Sequence, residues 1–64
     1  MLNNKLKEIR MKEYVMNSKE FSEFLDIKLS TYSRWENGEN NPNLEKAFEI
    51  SEKLNKTLIE IWYR

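Results

Sequence analysis

Residues 17–38 read NSKEFSEFLDIKLSTYSRWENG, and apolar residues recur there at helical spacing on both sides of a short turn. Phe21 and Leu25 lie four apart and share one helix face, while Tyr32 and Trp35 lie three apart and share another. The spacing predicts two helices, over about residues 18–25 and 29–37, joined by about three residues. Short helices gain most of their stability from packing an apolar face. Two such faces this close in sequence must therefore fold against each other.

That arrangement has the plan of a helix-turn-helix unit, whose second helix is free to enter a DNA groove. With Tyr32 and Trp35 turned inward, Leu29, Ser30, Ser33, Arg34 and Asn37 point outward at spacings of three and four. Short hydrogen-bonding side chains let a helix approach base edges closely. Arginine can bond guanine through two donors or reach a phosphate. The same residues would also make an ordinary solvated helix face.

The rest of the composition limits what this unit can belong to. Sixty-four residues make one small domain. Such a chain buries only about 60% of its unfolded surface, so its core is marginal. The chain has no cysteine and no histidine. Disulfides, thiolate metal sites and the commonest general base are thereby removed. There is no glycine-rich phosphate loop, and the carboxylates alternate with lysines as helix surfaces do. No enzyme, cofactor, metal or small-molecule ligand is expected. No apolar run suggests a membrane span or a signal peptide, which predicts a cytoplasmic location. Eleven Lys and Arg balance eleven Asp and Glu, whereas a basic excess is the usual footprint of nucleic-acid binding. Lys5, Lys7, Arg10, Lys12, Lys19, Lys28 and Arg34 fall early and Glu45, Glu49, Glu52 and Glu60 late. A modest dipole with its basic side towards the helix pair follows.

Along the chain, Asn3 or Asn4 can cap a first helix over about residues 4–14, with Leu6 and Ile9 inward and Lys5, Lys7, Glu8 and Lys12 outward. Val15 and Met16 are expected to tuck into the core as a connector. Asn17 and Glu20 form a capping-box pattern for the second helix. Ser22 is small enough to let the third helix come close, or it is a surface serine. Asp26 tolerates a left-handed backbone in the turn, and Ile27 is expected to plug the gap between the helices. Lys28 stands at a cap position that Ser or Thr would fill better. Gly38, the only glycine, suits the left-handed stop past a helix end. After the loop 39–43, Asn43 caps a fourth helix with an apolar stripe of Leu44, Ala47, Phe48, Ser51 and Leu54, and Ile50 beside it. Thr57 and Glu60 open a short fifth helix running through Ile61 and Trp62.

This ordered set resembles the Xre family, the small lambda-repressor-like and Cro-like DNA-binding domains of bacteria and phages. The residues carrying the resemblance are Phe21, Ser22, Leu25, Ile27, Ser30, Thr31 and the run Arg34, Trp35, Glu36, Asn37, Gly38. Asn41, Pro42, Asn43, Leu44, Ile50, Leu54, Leu58 and Ile61 continue it. The resemblance implies an all-α, compact five-helix fold with a central helix-turn-helix. It implies that Lys28, Leu29, Ser30, Ser33 and Arg34 face the major groove. It implies that Ser18, Lys19, Asn37 and Asn40 lie against the DNA backbone. It also implies an ion pair of Arg10 with Glu36, although the connector here is one residue longer than in the family. Leu29, Lys28 and Asp26 depart from the family pattern, which has a polar reader, a Ser or Thr cap and a glycine there.

Near the end, Ile59, Trp62 and Tyr63 cluster with Leu58 and Ile61. Leu58, Ile61 and one aromatic are the natural core residues. The resemblance implies that this end forms a two-fold dimer contact, so Ile59, Trp62 and Tyr63 are a candidate dimer surface; core closure by Trp62 and Tyr63 is the alternative. The function expected is a double-stranded DNA-binding transcriptional regulator, a repressor acting as a homodimer on a palindromic operator. A protein-interaction module on the same fold is the other reading, motivated by Leu29, the neutral charge and the apolar end.

Overall fold

The computed structural model describes residues 2–64. Asn17 sets the start of its central element. Its side chain accepts the Glu20 backbone N–H at 2.8 Å, and the Glu20 carboxylate accepts the Asn17 N–H at 2.9 Å. This reciprocal box opens helix α2 (Ser18–Phe24). Helix α3 (Leu29–Glu36) follows, and Phe21, Leu25, Tyr32 and Trp35 are buried between the two. Asn43 accepts the Lys46 N–H at 2.8 Å and opens α4 (Leu44–Lys53). Helices α1 (Leu6–Ile9) and α5 (Leu58–Ile61) meet where the two ends of the chain come together, giving five α-helices among the described residues.

Three helices stop in the same way. Asp26, Gly38 and Asn55 take left-handed backbone angles, with φ of 61°, 79° and 56°. In each case the next residue's N–H returns to the carbonyl five residues before it: Ile27 to Ser22, Glu39 to Arg34 and Lys56 to Ser51, all at 2.9 Å. This is the Schellman geometry. Glycine, asparagine and aspartate are the residues that adopt it at least cost. Ile27 is half-buried against the core, as expected of a plug. Ser22 is buried, and its hydroxyl donates to the Lys19 carbonyl, so it leaves no unpaired polar atom where α3 approaches.

The first helix differs from the expectation. Only Leu6–Ile9 is α-helical; Arg10–Tyr14 continues as a π-helix. The wider π turn leaves Leu6 and Ile9 buried in the core. The π segment ends in a left-handed cap at Val15, φ 51°, which turns that side chain into solvent at 81% exposure. Val15 therefore does not join the core, whereas Met16 packs against it. A β-branched residue at positive φ is strained by roughly 1–2 kcal/mol. Val15→Asn is expected to raise the unfolding free energy by about 1 kcal/mol in urea titration, since no packing is lost. A loss of stability would contradict the strain.

In α4 the buried residues are Ala47, Ile50 and Ser51, followed by Leu54 at its C-terminal cap. Leu44 and Phe48, expected on the stripe, are 66% and 50% exposed. The core face is centred on Ala47, Ile50 and Leu54, which leaves Leu44 and Phe48 on its flank, and the buried Ser51 hydroxyl is satisfied by donating to the Phe48 carbonyl.

Two short strands were not expected. Asn3–Asn4 (β1) pairs antiparallel with Trp62–Tyr63 (β2), with Asn3 opposite Tyr63 and Asn4 opposite Trp62. The fifth helix thus ends at Ile61, and Trp62 swings out into the strand and into the core. The Lys5 N–H donates to the Ile61 carbonyl at 2.8 Å, so the two ends of the chain are tied side by side. At the fifth-helix start, the Glu60 carboxylate accepts both the N–H and the hydroxyl of Thr57, which lowers the pKa of Glu60 below its ordinary value. No helix among the described residues is long and apolar enough to cross a membrane.

Candidate nucleic-acid interface

Helix α3 has two faces with opposite fates. Tyr32 and Trp35 are buried; Leu29, Ser30, Arg34 and Asn37 are exposed and Ser33 is half-buried. Eight residues make a rod about 12 Å long, comparable to the width of the DNA major groove. The side chains of Lys28, Ser30, Ser33, Arg34 and Asn37 make no hydrogen bond or ion pair with another described residue. Their polar atoms are left to solvent or to a ligand.

The inner face is held by a network around Glu36, the last residue of α3. Arg10 donates through Nε to one carboxylate oxygen at 3.1 Å and through Nη2 to the other at 3.2 Å. Its Nη1 donates to the Met16 carbonyl at 3.0 Å. The Tyr32 hydroxyl donates to the same carboxylate. One arginine thereby joins the π segment, the connector and the end of α3, and both members of the pair are 11% exposed. The Glu36 hydrogen bond holds the Arg10 guanidinium above its ordinary range. Burial, and then the bond to Glu36, push the Tyr32 phenol well above its ordinary value of 10.0.

The sign of the pH effect follows. An unfolded tyrosine ionises near pH 10, and the folded Tyr32 holds its proton further. Its contribution is complete below that pH and is lost as pH rises towards the folded-state value. Tyr32→Phe is expected to be about 1.5–3 kcal/mol less stable than the parent at pH 7. That gap should narrow above pH 10, as measured by urea titration at both pH values. A constant gap would show that the hydroxyl does not titrate with unfolding.

The same end of α3 has a second tie, which the sequence pattern did not mark. Asn4 donates from Nδ2 to the Trp35 carbonyl at 2.7 Å, while its Oδ1 accepts the Leu6 N–H at 3.1 Å. A single amide therefore joins β1, the start of α1 and the last turn of α3. An asparagine before a helix signals a cap, and only the three-dimensional arrangement adds the bond to Trp35.

Three of the four residues expected along the DNA backbone fall at helix ends and the fourth in a loop. Ser18, half-buried, and Lys19, exposed, form the first turn of α2. The Asn17–Glu20 box satisfies the Glu20 amide and leaves those of Ser18 and Lys19 without helical acceptors. Asn37 is the residue at the C-terminal cap of α3, and Asn40 lies exposed in the following loop. The basic side expected at the helix pair is not found: charge on this stretch is mixed and acidic on balance. Lys19, Lys28 and Arg34 share it with Glu20, Glu23, Asp26, Glu36 and Glu39. Glu20 is engaged by the cap and Glu36 by Arg10 and Tyr32, so neither carboxylate is free. Of the three terminal residues, Trp62 is buried and serves the core, whereas Ile59 and Tyr63 are exposed.

A helix-turn-helix family model matches residues 6–61. The chain belongs to the Xre-like helix-turn-helix family. Membership carries the coarse function of a DNA-binding regulator, and the two helices packed through Phe21 and Tyr32 are its helix-turn-helix unit. No curated protein gives a significant match to the chain. In this Xre-like fold the free face belongs to the second helix of the unit, and the Arg10–Glu36–Tyr32 network fixes that helix from behind.

Proposed function

We propose that the protein is a cytoplasmic transcriptional repressor of bacterial or phage type, a single domain that reads duplex DNA through the major groove with α3. The observation that carries this reading is the α3 face itself: Ser30, Ser33 and Arg34 keep their hydrogen-bonding atoms uncommitted on a rod held rigid from the opposite side. Lys28, Leu29, Ser30, Ser33 and Arg34 contact bases. Ser18, Lys19, Asn37 and Asn40 contact phosphates, which set the register while base edges give the specificity. With no net charge on the chain, non-specific affinity is weak and the salt dependence shallow.

The protein acts as a homodimer on a palindrome. The support is an apolar depression of about 230 Å³ lined by Pro42, Leu44, Leu58 and Ile59, with Leu44 and Ile59 66% and 81% exposed beside it. Exposed apolar residues flanking an apolar hollow suit a self-complementary two-fold contact. Ile59 and Tyr63 remain its candidate contacts, while Trp62 backs them from the core. Two such units bind half-sites about one DNA turn apart, and occupation of a promoter blocks transcription.

Arg34→Ala and Ser33→Ala are expected to weaken operator binding while the thermal midpoint stays within a few degrees of the parent. Loss of a bidentate arginine contact amounts to about 1–3 kcal/mol, or about 5- to 150-fold in Kd. Retained duplex affinity in both variants would remove α3 as the reading helix. The exposed Leu29, Leu44 and Ile59 favour a second reading, a protein-interaction module on the same fold. That reading predicts a folded protein with no duplex preference.

A further inference from the structure

We infer that Leu29 reads the 5-methyl group of a thymine, so that this chain selects its operator partly by a base methyl. The inference rests on the DNA-binding reading of α3 and adds the chemical group that one position recognises.

Leu29 is the first residue of α3 and is 42% exposed. It belongs neither to the buried core nor to the half-buried apolar residues packed against it. Lone exposed leucines are common on protein surfaces and need no function. This one stands on a face whose other members, Ser30, Ser33, Arg34 and Asn37, are all polar. Its position is the second point, because the N-terminal residues of a recognition helix are those that meet base edges.

The side chain of leucine has no donor and no acceptor. It cannot distinguish the hydrogen-bonding patterns that separate guanine, adenine and cytosine. The one apolar feature of the major-groove edge is the thymine C5 methyl. Bringing Leu29 against a purine or cytosine edge instead would strip water from polar atoms with nothing to replace it. The neighbours complement this role: Lys28 has no ion-pair partner among the described residues and is free for polar readout of an adjacent base, and Arg34 is free to supply polar readout further along the helix.

The test uses the operator obtained by selection from random duplexes. Each thymine in a half-site is replaced in turn by deoxyuridine, which deletes only the methyl. The whole protein and its Leu29→Ala variant are titrated against each duplex. At one position the parent is expected to lose about fourfold in affinity, the effect of withdrawing one buried methyl group. Leu29→Ala should bind the thymine and uracil duplexes at that position equally. Replacing that thymine–adenine pair by 5-methylcytosine–guanine should bind about fourfold tighter than unmodified cytosine–guanine in the parent, and equally in the variant.

Indifference of the parent to every uracil substitution, with duplex binding retained, would overturn the inference and leave the DNA-binding reading standing. So would a methyl preference that persists undiminished in Leu29→Ala. Failure of the folded parent to bind any selected duplex would overturn both.

Discussion

Arg10→Ala is expected to lower the unfolding free energy by about 3–5 kcal/mol, the usual effect of removing one partner from a buried ion pair. The geometry places this pair in that class. Two guanidinium nitrogens address both oxygens of Glu36, a third reaches the Met16 carbonyl, and each side chain is 11% exposed. Alanine would leave the carboxylate with Tyr32 alone and the Met16 carbonyl with no side-chain donor. A 64-residue domain has roughly 3–10 kcal/mol of total stability. The variant should therefore lose about a third or more of the total stability. Arg10→Lys should recover little, because an ammonium cannot bond both oxygens and the carbonyl together. Replacing the network as a unit, with Arg10→Met, Glu36→Leu and Tyr32→Phe, should restore most of the loss, since well-packed apolar groups often equal a buried pair in stability. Urea titration of the single and combined variants measures both effects. A change below about 1 kcal/mol for Arg10→Ala would put the pair in the class of surface ion pairs.

Phe21→Ala is the second large effect. Phe21 has no exposed surface and stands at the junction of three aromatic contacts. Its ring centroid lies 5.5 Å from Tyr14, 6.1 Å from Phe24 and 5.5 Å from Tyr32, the last edge-on at 72°. Removing a buried phenylalanine costs about 3–5 kcal/mol through lost transfer energy and the cavity left behind. The contact with Tyr32 is also the seam between α2 and α3. The expected outcome is loss of cooperative folding near room temperature, not a folded domain with altered binding. Phe24→Ala provides the contrast: Phe24 is 39% exposed, and its variant should lose much less in the same titration. Equal losses at the two positions would contradict the assignment of Phe21 as the anchor.

Both effects fall on parts of the fold that the sequence states with different clarity. The Phe21, Leu25, Tyr32 and Trp35 spacing is local, and it places α2 and α3 without further information. Asn17, Asn43 and Gly38 mark helix ends because capping and left-handed stops admit few residue types. The Arg10–Glu36 pair is not visible in any spacing: the partners are 26 positions apart and meet only through the family resemblance or the structure. The β1–β2 pair is equally hidden, since two residues carry no alternation. A π segment of five residues is too short for its longer period to separate from an α pattern. Val15 followed apolar character into an expected core place, and the helix-end geometry turned it out instead. In α4 the helical period put Leu44 and Phe48 on one stripe with Ala47, Ser51 and Leu54. The buried face is centred nearer Ile50, so Leu44 and Phe48 fall on its exposed flank. For the interface, the outward face of α3 was legible from period alone. The separate roles within it, base or phosphate, come from the family and not from any contact of the isolated protein.

The central claim is that α3 reads DNA sequence. Selection of bound duplexes from a random library at moderate salt, followed by sequencing, tests it most directly. The predicted result is an enriched palindrome whose half-site centres lie about 10 base pairs, or a multiple of that, apart. Failure of the folded protein to enrich any sequence would contradict the claim.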